Sequence, residues 1–207
     1  MQITFRNYQK EDFKALESII RETWNYDKFS STKTAGRLAR VFLRSCLTNY
    51  TFSKVAVIDG KPSGIILVNH KKKHKCPTMN RIRQIQALLP LYLSREGRRV
   101  FKIFGNVNGI DKELLAECKK EYPAELALFA VDSSCRGLGV GKQLFHAALD
   151  YMKQEHLDSF YLFTDTSCNY GFYEHQNMKR CCEKAHTFTI EGQQAEMHFF
   201  LYDYQFE

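Results

Sequence analysis

A chain of 207 residues that is 44% hydrophobic, 14% aromatic and 26% charged has the composition of a folded globular protein, not of a disordered or fibrous one. Its longest apolar runs, GIILV from Gly64 and ALLPLYL from Ala87, are too short to span a bilayer. The opening MQITFRNYQK lacks a signal peptide's apolar core, so the expected location is cytoplasmic. The net charge of +7 raises the question of an anionic partner, but the excess is local, because residues 70–122 carry thirteen basic side chains against five acidic. Seven cysteines, an odd number with no C-x-x-C, argue against a disulfide framework or a zinc ribbon and for free thiols and small apolar fillers.

In chain order, ITFRNY alternates as a half-buried strand, and Asp12 stands where a helix N-cap belongs. Phe13, Leu16, Ile20 and Trp24 then form one helical stripe. A second helix begins after Ser30-Ser31-Thr32 and turns Leu38, Val41, Phe42 and Cys46 inward; KVAVID, the pair Asp59-Gly60 and GIILV read as a hairpin. From residue 70 to 122 the pattern is helical and reads as an insert. Met79, Ile82, Ile85 and Leu89 share a stripe that Pro90 interrupts, and it must be buried against the body or against a second subunit of a homodimer. A short helix over 111–120 follows, with Asp111 as its N-cap. The string HKKKHKC from His70 reads as a solvated loop and not as a metal site. Strand residues 124–131 lead into a glycine-rich turn, a helix over 139–154 with Leu144, Ala147, Ala148 and Tyr151 inward, and the strand SFYLFTD, which together make a βαβ unit. A short helix over 169–175 and two strands, KAHTFTI and AEMHFFLY, joined by Glu191-Gly192-Gln193, complete the chain.

The chemistry concentrates in VDSSCRGLGVGK, residues 131–142. Gly137, Gly139 and Gly141 at the opening of a helix let backbone amides approach an anion, the helix dipole adds attraction, and Arg136 and Lys142 supply charge. The spacing is neither a Walker loop, since Gln143 follows Lys142, nor a dinucleotide fingerprint, which needs a third glycine that is missing here.

With that loop, the sequence resembles the GNAT superfamily of acetyl-CoA-dependent N-acetyltransferases. The family pattern [QR]-x-x-G-x-[GA] is matched by R-G-L-G-V-G from Arg136, and the downstream Asn and F-Y pair by Asn169 and Phe172-Tyr173. Where relatives often carry Gly-Phe, Asn177-Met178 stand instead, a pair compatible with a left-handed residue and a buried one. The resemblance implies a single α/β domain over residues 1–207. Its mixed, twisted, mostly antiparallel sheet would be flanked by helices, with the 70–122 insert between the third and fourth strands. It implies acetyl-CoA as co-substrate, no metal, and direct transfer of the acetyl group to a primary amine in a ternary complex, the acceptor being a small molecule or a peptide. Phe129, Ala130, Val131, Arg136, Gly137, Leu138, Gly139, Val140, Gly141, Lys142, Asn169, Phe172 and Tyr173 would then bind the cofactor, and an N–H near Val131 would polarise the thioester.

Tyr173 matches the general acid, and Glu125 is either the base or a solvent-facing edge carboxylate; His175 and Asp165 are weaker candidates. The insert would border the acceptor, and Arg81, Arg83, Arg95, Arg98 and Arg99 would make a basic wall suited to an acceptor with a carboxylate or phosphate beside its amine. Two rival readings are a non-catalytic acyl-CoA sensor on the same fold and, ranked last, a nucleic-acid-binding module using the basic insert. A membrane partner is not expected.

Overall fold

Period-two alternation lays down seven strands in the computed structural model, which describes residues 1–28, 30–73, 75–190 and 193–206. They are β1 (Ile3–Arg6), β2 (Phe52–Ile58), β3 (Lys61–His70), β4 (Ala124–Val131), β5 (Ser159–Asp165), β6 (Lys179–Ile190) and β7 (Gln193–Gln205). The helices are α1 (Phe13–Thr23), α2 (Thr32–Cys46), α3 (Thr78–Tyr92), α4 (Arg95–Cys118), α5 (Val140–Gln154) and α6 (Gly171–His175). All strands join one sheet in the order β1-β2-β3-β4-β5-β7-β6, and every neighbouring pair is antiparallel except β4 with β5. This is the expected mixed sheet, with the helical insert (α3 and α4) between the third and fourth strands. The β2–β3 turn is the expected Asp59-Gly60 pair, both with positive φ (46° and 80°), as a tight hairpin with right-handed twist requires. The Glu191-Gly192 part of the last connection lies outside the described residues.

Helices cover both faces of the sheet. On one face, Leu16 and Ile20 of α1 and Leu38 and Leu43 of α2 pack on Val55, Ile65 and Leu67. On the other, Leu144, Phe145, Ala148 and Met152 of α5 pack on Ile66, Val68 and Phe160. Further along the sheet, Ile110 and Leu114 of α4 close over Tyr161, Phe188 and Leu201. Strand β4 serves both main cores because it carries a bulge. Leu67 pairs with Leu128 but the next residue, Val68, pairs with Leu126, so Ala127 is an extra residue. Ala124 and Leu126 consequently face α5, while Leu128 and Ala130 face α1 and α2.

The insert differs from expectation in three ways. Its second helix is not a short segment starting at Asp111 but the 24-residue α4, capped by Ser94, whose hydroxyl accepts from Gly97 N at 3.0 Å. Gly105 and Gly109, each costing about 1 kcal/mol in a helix interior, are outweighed by the burial of Ile110 and Leu114 against the sheet. Pro90 does not stop α3, which ends two residues later with Leu93 N bonded to Leu89 O, because a proline in a last turn forfeits only one helical bond. The stripe Met79, Ile82, Ile85 and Leu89 is exposed (41–60%) on the single chain, so of the two covers expected for it the body of the protein is not the one. The face that packs on α2 carries Ala87, Leu91 and two side-chain bonds, Asn80 Nδ2 to Leu47 O and Gln84 Nε2 to Ser45 Oγ, both 3.0 Å. All seven cysteines are free, as expected. In HKKKHKC, His70 is buried with Nδ1 3.6 Å from Glu155, and His74 lies outside the described residues.

Asp12 is the N-cap residue of α1, as expected, but its side chain bonds none of that helix's amides and instead closes the capping box of the 3-10 turn Lys10–Asp12 with Gln9. Buried to 1% exposure, its carboxylate accepts Arg6 Nη2 at 2.6 Å, Arg6 Nη1 at 2.7 Å and the Gln9 amide at 2.8 Å, tying β1 to the start of α1. Burial works to raise its pKa, but the Arg6 and Gln9 hydrogen bonds together hold it below the ordinary value. A depressed carboxyl stabilises the fold above its unfolded pKa of about 3.9 and loses that contribution as pH falls through the folded value. Asp12→Asn is expected to cost about 2 kcal/mol at pH 7, or roughly 4–8 °C in Tm. In thermal unfolding the gap to wild type should narrow below about pH 4; a gap of equal size at pH 3 would show that the charge contributes nothing.

Candidate active site

Parallel strands β4 and β5 pair only at Ala124↔Phe160 and Glu125↔Tyr161 and then part. Beyond Glu125, the β4 backbone on that side has no strand partner and borders a cavity of about 830 Å3. On the α5 side the gap is filled by aromatic rings. Phe129 stands 5.3 Å from Phe172 and 6.5 Å from Phe145, with Tyr173 at 6.4 Å.

At the end of β4 the chain enters the glycine loop. Asp132 holds its start, accepting from Ser134 N at 2.8 Å while its own N–H donates to Ser63 O at 2.8 Å. Gly137 (φ 80°) and Gly139 (φ 73°) are left-handed, and a Cβ on either would meet nothing within 4 Å. Glycine is therefore demanded by the backbone angle, in a loop whose surface is open. Gly139 is the N-cap of α5, whose ladder begins with Gln143 N to Gly139 O at 3.1 Å, so the amides of the first turn are left for an external acceptor. Arg136, Gly137, Gly139, Val140, Gly141 and Lys142 all border the cavity, as do Phe129, Ala130 and Val131 of β4. Leu138 does not: it is 39% exposed and outside the lining.

The opposite wall comes from β5 and α6. Asn169, Phe172 and Tyr173 all line the cavity. Asn169 is exposed and does not cap α6, where Tyr170 holds the N-cap position. Tyr173 is 9% exposed, and its hydroxyl has no hydrogen-bond partner among the described residues. Burial raises its pKa, so it stays protonated through the neutral range. The five-residue α6 is fixed by Glu174, which accepts from Arg180 Nη2 and from the Tyr202 hydroxyl, both at 2.7 Å. Asn177 adopts φ 61° and Met178 is buried, as those two positions required.

Three carboxylates face the same space. Glu125 is no solvent-facing edge residue: it lines the cavity and has its pKa raised by burial against the opposing pull of Lys71 and Tyr161. Asn69, its register partner on β3, also borders the cavity, with Oδ1 buried and unpartnered among the described residues. Asp165 at the end of β5 lines the cavity too and holds the following turn by accepting from Ser167 N at 2.7 Å.

The third carboxylate, Asp111, was misread as an N-cap and is the functional candidate that the pattern analysis missed. Burial, with Glu125 and Asp165 adding repulsion, pushes its pKa up to about 7, and it has no hydrogen bond or ion pair among the described residues. A signal was present, because Asp111 adjoins the helical stripe Ile103, Val107, Ile110 and Leu114, all turned toward the sheet. His175 is an exposed residue whose Nδ1 meets Gly171 O at 2.6 Å. The expected basic wall is absent: none of Arg81, Arg83, Arg95, Arg98 and Arg99 borders the cavity.

The family model described as the acetyltransferase (GNAT) family matches residues 13–178, and the chain belongs to that family. A comparison with curated protein sequences returns no match. Among solved structures, SsHAT superposes with a TM-score of 0.64 at 13% identity, covering 99% of this chain and 98% of that one. An N-acetyltransferase from Staphylococcus aureus Mu50 gives 0.56 at 14%, covering 99% of both chains. PaiA N-acetyltransferase from Thermoplasma acidophilum, solved in complex with coenzyme A, gives 0.52 at 15%, covering all of both chains. At these identities the likeness is one of fold. Among the described residues no helix is long and apolar enough to cross a membrane, and no group of three or more His, Cys, Asp or Glu could hold a metal ion.

Asp111 carries a cost that can be measured. With its folded pKa near 7 and its unfolded pKa about 3.9, the folded state binds the proton more tightly, so stability falls as pH rises between those values. Asp111→Asn is therefore expected to melt higher than wild type at pH 8, with the difference fading toward pH 4. A difference independent of pH would show that the carboxyl is not held against ionisation.

Proposed function

We propose that this protein is an N-acetyltransferase that moves the acetyl group of acetyl-CoA to a primary amine by direct attack in a ternary complex. The observation that carries the reading is the unpaired β4 edge, opening beside a glycine loop whose helix presents free amides. Family membership supports an acyltransferase that uses acyl-CoA. The unpaired β4 backbone at Phe129, Ala130 and Val131 suits the amide-bearing pantetheine arm, which can add to it as a strand does. The amides of the α5 first turn, with Arg136 and Lys142, suit the pyrophosphate. Asn169 and Phe172 complete the wall.

The chemistry assigned to the side chains follows from their surroundings. An ammonium acceptor must lose a proton before it attacks, and Glu125, its pKa raised toward the working range by burial, accepts that proton directly or through a water. Charge that develops on the thioester oxygen is met by a β4 backbone N–H. Tyr173, protonated throughout the neutral range and without a protein partner, donates to the departing sulfur. The resulting acetamide is neutral and has no ionic hold on the carboxylates.

Two experiments test this. Gly139→Asp puts a side chain on a left-handed residue and a negative charge in the loop; calorimetry should show acetyl-CoA binding lost while circular dichroism stays unchanged. Unaltered affinity would remove the loop from the cofactor site. Tyr173→Phe should lower kcat by roughly 10²–10⁴-fold with acetyl-CoA affinity nearly intact. Equal turnover in that variant would end the acid role, and cofactor binding without turnover on any amine would favour the acyl-CoA sensor.

A further inference from the structure

A second cavity, of about 450 Å3, lies between α2, α3, α4 and the β6–β7 end of the sheet. Its walls are apolar and aromatic, among them Val41, Leu88, Leu91, Phe101 and Met197. Asp111 and Asp165 are the only charged side chains in its described lining. It adjoins the acetyl-transfer cleft, since Trp24, Phe42, Val107, Asp111, Asp165 and Phe199 border both. The insert therefore borders the cleft, where it contributes hydrocarbon and one carboxylate instead of arginines.

We infer that this cavity is the acceptor pocket and that it takes a primary monoamine bearing an apolar chain or ring, with the ammonium held at Asp111 beside the cleft. The inference rests on the acetyltransferase reading and adds the substrate class. The space suits a body on the order of a dozen non-hydrogen atoms, taking the ≈30 Å3 that each water occupies in the liquid as a guide. A cation is indicated because the two lining carboxylates face no lining base, and Asp111 has no partner among the described residues. A single cation is indicated because both carboxylates stand where the pocket meets the cleft, and beyond that junction the wall offers only hydrocarbon and a few neutral polar groups, so a polyamine or an aminoglycoside reaching inward would bury unpaired charge. An acceptor with a carboxylate or phosphate beside its amine would meet Asp111 and Asp165 as like charges.

The tests separate binding from turnover. Trp24 is the only tryptophan and lines both cavities, so its fluorescence reports occupancy without any reaction. With CoA present, phenethylamine and hexylamine should change that fluorescence saturably, whereas 3-phenylpropionate, spermidine and kanamycin should not. Asp111→Asn should weaken phenethylamine binding roughly tenfold or more, the loss expected of a charge-assisted contact. Val107→Phe, which narrows the junction of the two cavities, should raise the KM for phenethylamine at least tenfold while leaving acetyl-CoA affinity by calorimetry unchanged. If spermidine, kanamycin or a peptide amino terminus releases CoA best and the apolar amines do not bind, the pocket assignment is overturned and the acetyltransferase reading stands. If the apolar amines bind and both variants weaken them but no CoA is released, the pocket stands and acetyl transfer falls. Unchanged phenethylamine binding in both variants overturns the inference.

Discussion

The structure depends on one broken pairing. A parallel strand pair inside a sheet ordinarily satisfies its backbone along its whole length, yet β4 and β5 are bonded only at Ala124↔Phe160 and Glu125↔Tyr161. An unpaired edge is a liability in most folds because other chains can add to it. Here it lies near the centre of the sheet, shielded by α5 on one face and by α2 and α4 on the other, so only a slender extended molecule can use it. The rings of Phe129, Phe145, Phe172 and Tyr173 fill the α5 side of the gap. The Ala127 bulge completes the arrangement. It falls two residues after the last β4–β5 pair and turns the rest of β4 over, which hands Leu128 and Ala130 to the α1–α2 core and Phe129 and Val131 to the α5 side.

Charge is distributed against the sign of the whole molecule. The chain is basic, and its insert more so, but among the described residues the interior of the two joined cavities carries Asp111, Glu125 and Asp165. The two cations on the cleft lining stand at the glycine loop, where a phosphate-bearing ligand would end. In the proposed reading, a site with anions at one end and cations at the other would draw an ammonium from one side and a polyphosphate from the other. Holding Asp111 half-buried beside Glu125 and Asp165, with no partner among the described residues, disfavours its ionised form at neutral pH. A residue retained at such a cost is better explained by a ligand than by packing.

How much of this was legible in the sequence depends on the range of the interactions involved. The segment from β4 through the glycine loop and α5 to β5 could be read because each step is local: alternation, then left-handed glycines, then a 3.6-residue stripe, all within some forty consecutive residues. The positions of Phe172, Tyr173 and Asn177 follow from the same short stretch. Where tertiary contacts decide, local rules failed. The short helix expected from Asp111 is the C-terminal part of α4, because the contact of Ile110 and Leu114 with the sheet carries the helix through Gly105 and Gly109. Periodicity identified Met79, Ile82, Ile85 and Leu89 as one face of α3, but it could not tell which face would find α2.

The sequence by itself thus determined the order of elements, the glycine loop and the family to which it points, because these rest on neighbours in the chain. Only the tertiary structure decided where β4 leaves β5, which way the strand turns after Ala127, and that Asp111 on α4 shares a cavity with Glu125 on β4. Those outcomes arise from contacts between segments distant in sequence, and no pattern of spacing within either segment encodes the partner.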